Sequence, residues 1–329
     1  CRLGFEIVPV ALNENKSPVI HSEHWLGLQS WCVPHVYCNA YNRIMAIRQN
    51  NRRKEDHAII NRLLMGVLMI NPNITTFWNM RKDQMESDKL DPDFELRFTA
   101  LALSWKPNCA DIFAHRKWII QRLLKGGRVE SELLDGEMAV CELAADHYSN
   151  NYHAWTHRLW SLQRSLDSCD ERQRSVLLER EWEWSEHWVS RHVSDHSGLH
   201  YRQRLLSILQ SAGIPSGIGD KLTDVTFGRT SSPSVDVTLA FSELRLVSDL
   251  IRNFPGHEAL WVHRRFVLAS LRRYLSPPPG EDVSAEVSEF LTRYEESFLG
   301  ASSGQATYVE RHRRWLVRAL GLDLSKLLK

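Results

Sequence analysis

The chain is poor in the features that most often announce a function. Its six cysteines, Cys1, Cys32, Cys38, Cys109, Cys141 and Cys169, form no CxxC pair, and the last 160 of its 329 residues contain none. That excludes a small disulfide-stapled scaffold and favours reduced thiols in a cytoplasmic protein. The longest purely apolar run, Leu63–Ile70, falls far short of the ~20 residues that cross a bilayer, so no membrane span is expected. Gly 16 and Pro 12 are too few for a low-complexity chain. Lys+Arg 41 against Asp+Glu 40 leaves a net charge of +1, so no global field draws the chain toward nucleic acid or an anionic surface. P-loop, GxGxxG, GxSxG and HExxH motifs are missing, and with them any support for nucleotide binding or free-standing hydrolysis.

Tryptophan, in contrast, is abundant: Trp 12 exceeds Phe 11 and doubles Met 6. Six segments share one frame, among them NPNITTFWNMRK, KPNCADIFAHRKW, SNNYHAWTHRLW and PGHEALWVHRRF. In each a large residue stands three before an arginine: Trp78/Arg81, Phe113/Arg116, Trp155/Arg158, Leu199/Arg202, Trp261/Arg264 and Tyr308/Arg311. In the last copy, HRRW matches the earlier HRKW and HRRF if the register moves by two. Intervals of 35, 42, 44, 62 and 47 residues suit a helical-hairpin repeat with loop insertions. Five before each large residue stands Asn73, Asn108, Asn150, Ser194, Gly256 or Ser303, residue types that cap free N–H groups at a helix start. Residues at i and i+3 share a helix face, so the aromatic fills a gap against the next hairpin while the guanidinium satisfies polar groups there. Charged second helices fall between copies, at 93–105, 129–147, 171–191, 237–253 and 283–298.

The expected fold is an all-α, right-handed α/α superhelical solenoid, a crescent of six or seven helical hairpins. Residues 1–50 form an arm and capping extension in which FEIVPV (Phe5–Val10) suggests a short strand, followed by helices near 36–49 and 53–70. Residues 51–329 form the repeat domain, with loop insertions near 211–235 and 276–282.

At NNYHAWTHRLW the sequence resembles the repeat of protein prenyltransferase alpha subunits, approximately P-x-N-Y-x-x-W-x-x-R, and its first two copies look most like the Rab geranylgeranyltransferase branch. The likeness extends over about residues 51–320. It implies half of a heterodimeric transferase: no metal or cofactor in this chain, with zinc and geranylgeranyl diphosphate in a beta subunit, most plausibly of the Rab type. The substrate would be a protein with a C-terminal cysteine. It implies also that a lysine should stand five before the aromatic of copy two to reach the isoprenoid diphosphate. Here that position is Asn108, and the nearest amine is Lys106. Asp111, Asn151, Tyr152 and His153 then become the residues expected to face substrate or partner.

Other clusters weigh less. His21, His24, Cys32, His35 and Cys38 carry zinc-ligand chemistry, but in no spacing of a closed site, so ordinary packing is preferred. His153/His157 and His196/His200 are i, i+4 pairs read as structural. Trp184 and Trp188 could form an exposed stripe for a partner. Basic runs at 263–265 and 311–314 suggest phosphate or single-stranded RNA, but their arginines belong to the repeat frame. A helical-repeat scaffold without enzyme association is the main rival to the transferase reading, and an RNA-binding repeat protein the lesser one.

Overall fold

The structure, a computed structural model, describes residues 4–9, 17–49, 56–127, 130–213, 215, 217–218, 235–272, 292, 298 and 303–321. The chain divides into two compact units, Cys1–Ser168 and Cys169–Lys329. Both are built from antiparallel helical hairpins, and the chain is an all-α helical-repeat protein.

In the first unit, β1 (Gly4–Val8) lies parallel to β3 (Trp25–Gln29), and β2 (Val19–Ser22) lies antiparallel to β3, giving the order β1-β3-β2. The hairpins follow as α1 (Val33–Gln49), α2 (His57–Ile70), α3 (Thr75–Glu86), α4 (Pro92–Trp105), α5 (Ala110–Lys125), α6 (Glu130–His147) and α7 (Tyr152–Ser168). The sheet is fastened to α4, where the Phe5 amide donates to Ser104 Oγ at 3.0 Å and the Phe5 ring meets Trp105 edge-on. In the second unit come α8 (Glu171–Arg191), α9 (His196–Ala212), α10 (Val235–Asn253), α11 (Glu258–Ser270) and α12 (Ser303–Trp315). The second helices expected at 93–105, 129–147, 171–191 and 237–253 are α4, α6, α8 and α10. Apart from positions 292 and 298, the helix expected at 283–298 lies outside the described residues, as do the insertion at 276–282 and most of the insertion near 211–235.

Asp56, Asp91, Asp170 and Asp195 start α2, α4, α8 and α9 by accepting hydrogen bonds from the first free amides, and Asp170 forms a reciprocal pair with Gln173. The motif helices begin differently from expectation. Their N-cap positions are Ile74, Cys109, Asp195 and His257, one residue beyond the expected caps. Asn150 (φ 57°) and Gly256 (φ 89°) occupy left-handed backbone. At these two positions the turn demands that conformation, and no side chain is needed there to cap.

Packing between hairpins is organised by a carboxylate on each intervening helix. Glu95 of α4 receives Arg81 Nε at 2.7 Å and Arg81 Nη2, and lies 2.8 Å from His115 Nε2. Glu137 of α6 receives Arg116 Nε at 2.9 Å and Arg116 Nη2, and lies 2.8 Å from His157 Nε2. Glu243 of α10 receives Arg202 at 2.8 and 2.7 Å and lies 2.7 Å from His263 Nε2. Glu181 of α8 accepts from the Tyr201 hydroxyl at 2.7 Å. In all four the carboxylate precedes its ring partner by 20 residues. The same arginines donate to a carbonyl 20 residues earlier: Asn61 from Arg81, Leu96 from Arg116, Met138 from Arg158 and Trp182 from Arg202. In three copies the motif's aromatic covers the next copy's ring, with Trp78 on His115 (4.8 Å), Phe113 on His157 (5.4 Å) and Trp261 on His312 (5.2 Å).

The final copy corrects the register. His312 is buried and stacks near Trp315, as His115 does near Trp118, while Arg311 is 60% exposed and lies 3.8 Å from the equally exposed Glu258. The frame of that copy is therefore HRRW, with Arg313 in place of Arg311 and Glu310 in place of Tyr308, because His312 alone supplies the buried ring. Position 292, 20 before His312, carries Thr instead of Glu, and Arg264 Nε approaches His312 Nε2 directly at 3.4 Å.

Burial alone would raise the Glu137 and Glu243 carboxyls, but Arg116 with His157, and Arg202 with His263, outweigh it and hold both at about 2. Both groups ordinarily titrate near 4.5, so their contribution to stability is complete above pH 4.5 and is lost as pH falls toward 2. Burial holds His115 below its ordinary 6.5, so a separate loss begins as pH drops below 6.5, where the unfolded chain takes up the proton first. Urea unfolding measured between pH 7 and 2 should show both stages. Glu137→Ala should cost about 3–5 kcal/mol at pH 7, since it strands a buried guanidinium, whereas Arg311→Ala should stay within about 0.5 kcal/mol.

Candidate functional site

With Trp78, Arg81, Phe113, Arg116, Trp155, Arg158, Leu199, Arg202, Trp261 and Arg264 all buried, the chemistry left to the surface of the first unit is concentrated where α4 turns into α5 and α6 into α7. Asn151 joins these two turns. Its amide donates to Pro107 O at 2.7 Å and Ala144 O at 3.0 Å, and its oxygen accepts from the Ala154 amide at 3.1 Å. The bond to Pro107 sets the turn carrying Lys106 and Asn108 directly against the start of α7, which carries Tyr152 and His153.

Asn151 is itself fully buried, so it faces the protein interior and not an opening. Asp111 is likewise engaged, accepting from the Thr75 hydroxyl at 2.9 Å. Cys109, between them, donates from Sγ to Asn73 Oδ1 at 3.2 Å, and burial pushes its thiol up, so it is no nucleophile. The exposed set consists of Lys106, whose Nζ rests 4.8 Å from the Trp105 ring centre, Asn108, Tyr152 at 63% exposure and Tyr148. His153 is half-buried, edge-on to Tyr152 at 5.6 Å. One amine, one amide, two phenols and an imidazole make a polar edge able to bind an anion or a peptide. No sequence feature flagged the Glu95, Glu137, Glu181 and Glu243 series, although its spacing of 20 to the motif ring was available to be read.

Elsewhere the structure separates what the sequence grouped. Among the described residues no three His, Cys, Asp or Glu side chains gather as a metal site. In the suspected zinc cluster, Cys32 is buried, whereas His21, His24, His35 and Cys38 are exposed. The Trp184/Trp188 stripe is also not an exposed one: Trp188 is buried, donating from Nε1 to Asp195 at 3.2 Å, and Trp184 is half-buried beside it. Among the described residues no helix is long and apolar enough to cross a membrane.

Hairpins clasped in this way, with motif residues consumed by packing and a polar edge left outside, define a helical-repeat protein. The model of the protein prenyltransferase alpha subunit repeat matches residues 134–165, 178–209 and 241–271. Each matched segment opens just before its carboxylate and closes after the Arg of the following helix. The chain is 34% identical over 279 residues to protein prenyltransferase alpha subunit repeat-containing protein 1 of Danio rerio, covering 77% of this chain and 64% of that protein. For the Homo sapiens protein of the same name, identity is 34% over 284 residues, covering 77% and 69%. The alpha subunit of human geranylgeranyl transferase type-2 is more distant, at 24% over 232 residues, covering 68% of this chain and 36% of that one. The chain belongs to the protein prenyltransferase alpha subunit repeat family, and the alignments span about two thirds of the length of the repeat-containing relatives.

Replacing Asn151 with Ala removes the donor to Pro107 O and one of two donors to Ala144 O, which keeps the Tyr148 amide, and should cost about 1–3 kcal/mol. Tyr152→Ala should leave stability within about 0.5 kcal/mol. Thermal and urea unfolding of the two variants separates the clasp from the surface it supports.

Proposed function

We propose that this chain is the alpha-type subunit of a heterodimeric protein prenyltransferase. In this reading it pairs with a beta subunit of the Rab geranylgeranyltransferase type and supports geranylgeranyl transfer to a C-terminal cysteine of a substrate protein. The observation that carries the reading is the polar edge of Lys106, Asn108, Tyr152 and His153, held outside a repeat stack of this family. Zinc, held by the beta subunit, supplies activation of the acceptor thiol. What this chain adds is binding and charge. Tyr152 and His153 present a phenol and an imidazole to peptide or partner, and Lys106 can neutralise part of a diphosphate.

Asn108 stands where the resemblance calls for a lysine, so that amine must come from two residues away. Lifting Lys106 off Trp105 costs only about 0.5–1 kcal/mol, the worth of an exposed cation–π contact, so the side chain is free to be recruited. The same substitution is the specific observation that favours a second reading, an interaction scaffold of the same fold with no enzyme partner.

Co-purification with the beta subunit, followed by single-turnover transfer to a protein ending in cysteine, tests both. The expected outcome is a stable heterodimer in which Asn108→Lys assembles normally and transfers at an equal or faster rate, while Lys106→Ala slows transfer by up to roughly 10²-fold, as loss of one charge stabiliser does. A chain that stays monomeric beside excess beta subunit replaces the transferase reading with the scaffold. A heterodimer in which neither variant changes the rate even twofold removes this edge from the diphosphate.

A further inference from the structure

The N-terminal sheet does more than cap the first hairpins, because it stands off α4 and α6 and leaves a cavity of about 380 Å³ between them. A volume of that order lies in the range of small-ligand sites, about 300–1,000 Å³. One wall is Trp25 of β3. Its ring lies flat on Gly4 of β1, so closely that a β-carbon at position 4 would run into the indole. Glycine at that position is what lets the indole fold down and close the wall. The floor is aliphatic, from Leu101 of α4 and Val140 and Leu143 of α6. Ser104, the hydroxyl in the floor, is already spent, accepting from the Phe5 amide and donating to Leu101 O at 2.7 Å. The cavity thus has little polar capacity inside.

Its polar capacity is at the rim. Arg97 and His147 both line the cavity and both are exposed. Neither belongs to the Arg–Glu–His series, and among the described residues neither forms an ion pair. No residue of this cavity is part of the repeat motif or of the turn edge. An open pocket with a dry aliphatic floor, one exposed aromatic wall and a guanidinium beside an imidazole at its mouth has the polarity of an amphiphile receptor. One guanidinium and one imidazole balance a single negative charge. A diphosphate head, carrying more, would leave charge uncompensated.

We propose that this cavity binds an aliphatic monocarboxylate of medium chain length, its tail between Trp25 and the Leu101, Val140 and Leu143 floor, its carboxylate on Arg97 and His147. The site shares no side chain with Lys106, Asn108, Tyr152 and His153 of the turn edge, and ligand there holds the N-terminal sheet against α4 and α6. It does not depend on whether the chain pairs with a beta subunit.

Isothermal titration of the full chain with saturated monocarboxylates of rising length, decanoate among them, tests the assignment. Affinity should rise about fourfold per added methylene, the worth of burying one CH₂, and then level off once the cavity is full. Arg97→Ala should weaken decanoate at least about tenfold while leaving 1-decanol unchanged. Leu101→Trp, which fills the floor, should abolish binding of both, and Ala100→Leu, a smaller intrusion into the same cavity, gives the same answer should Leu101→Trp unfold the chain. Absence of saturable binding, affinity that climbs with length without a plateau as in partition to a greasy surface, or tighter binding of geranyl diphosphate than of decanoate would each overturn the proposal.

Discussion

A carboxylate buried between an arginine of the preceding hairpin and a histidine of its own is the interaction on which the stack depends. Glu95, Glu137 and Glu243 each hold both partners at once. Burying a charge is expensive, and an ion pair in the interior is not by itself a stabilising choice over well-packed apolar groups. What the arrangement supplies is registry. The guanidinium fork reaches the carboxylate and also a carbonyl of another helix, a geometry satisfied at one depth of packing only. The aromatic three residues before the arginine then closes over the ring ahead, so charge and apolar packing specify the same alignment.

This arrangement has a functional consequence. Residues that look reactive in the sequence, five arginines and the histidines beside them, are consumed in holding hairpins together, and their desolvation leaves them no ligand to meet. Surface chemistry falls instead to the places where the repeat is interrupted: the turns, where Lys106, Asn108, Tyr152 and His153 stand outside, and the N-terminal sheet, where Arg97 and His147 rim a cavity that the repeats alone would not form. A protein of this construction acts by what it holds in place. The subunit reading and the ligand site beneath the sheet both follow that logic.

Much of the fold was legible because one physical pattern recurs. A large residue and an arginine on one helix face, repeated at hairpin intervals, located the helices from α3 to α11, and FEIVPV separately marked most of β1. The carboxylates were not legible in the same way: each lies on a different helix from its arginine, 14 residues on for Arg81 and 41 for Arg202. Only the fixed step of 20 to the following ring gives them away. The N-terminal positions were misread by one residue, and at Asn150 and Gly256 the reason is that Asn and Gly serve left-handed turns as readily as they serve caps. Tyr308/Arg311 satisfied the spacing of the frame but not its burial. Of the site, Tyr152 and His153 could be named from the resemblance, whereas the burial of Asn151 came from a backbone carbonyl 44 residues earlier, which no local pattern encodes.

The most direct measurement is a double-mutant cycle on Arg202 and Glu243, using Arg202→Met, Glu243→Leu and the pair, with stability read by urea unfolding at pH 7. If the carboxylate–guanidinium clasp sets the alignment of the hairpins, each single variant loses much and the double variant recovers part of it, giving a coupling of about 1–3 kcal/mol. Two losses that simply add, to within about 0.5 kcal/mol, would mean that the aromatic packing aligns the hairpins unaided, and would contradict the account.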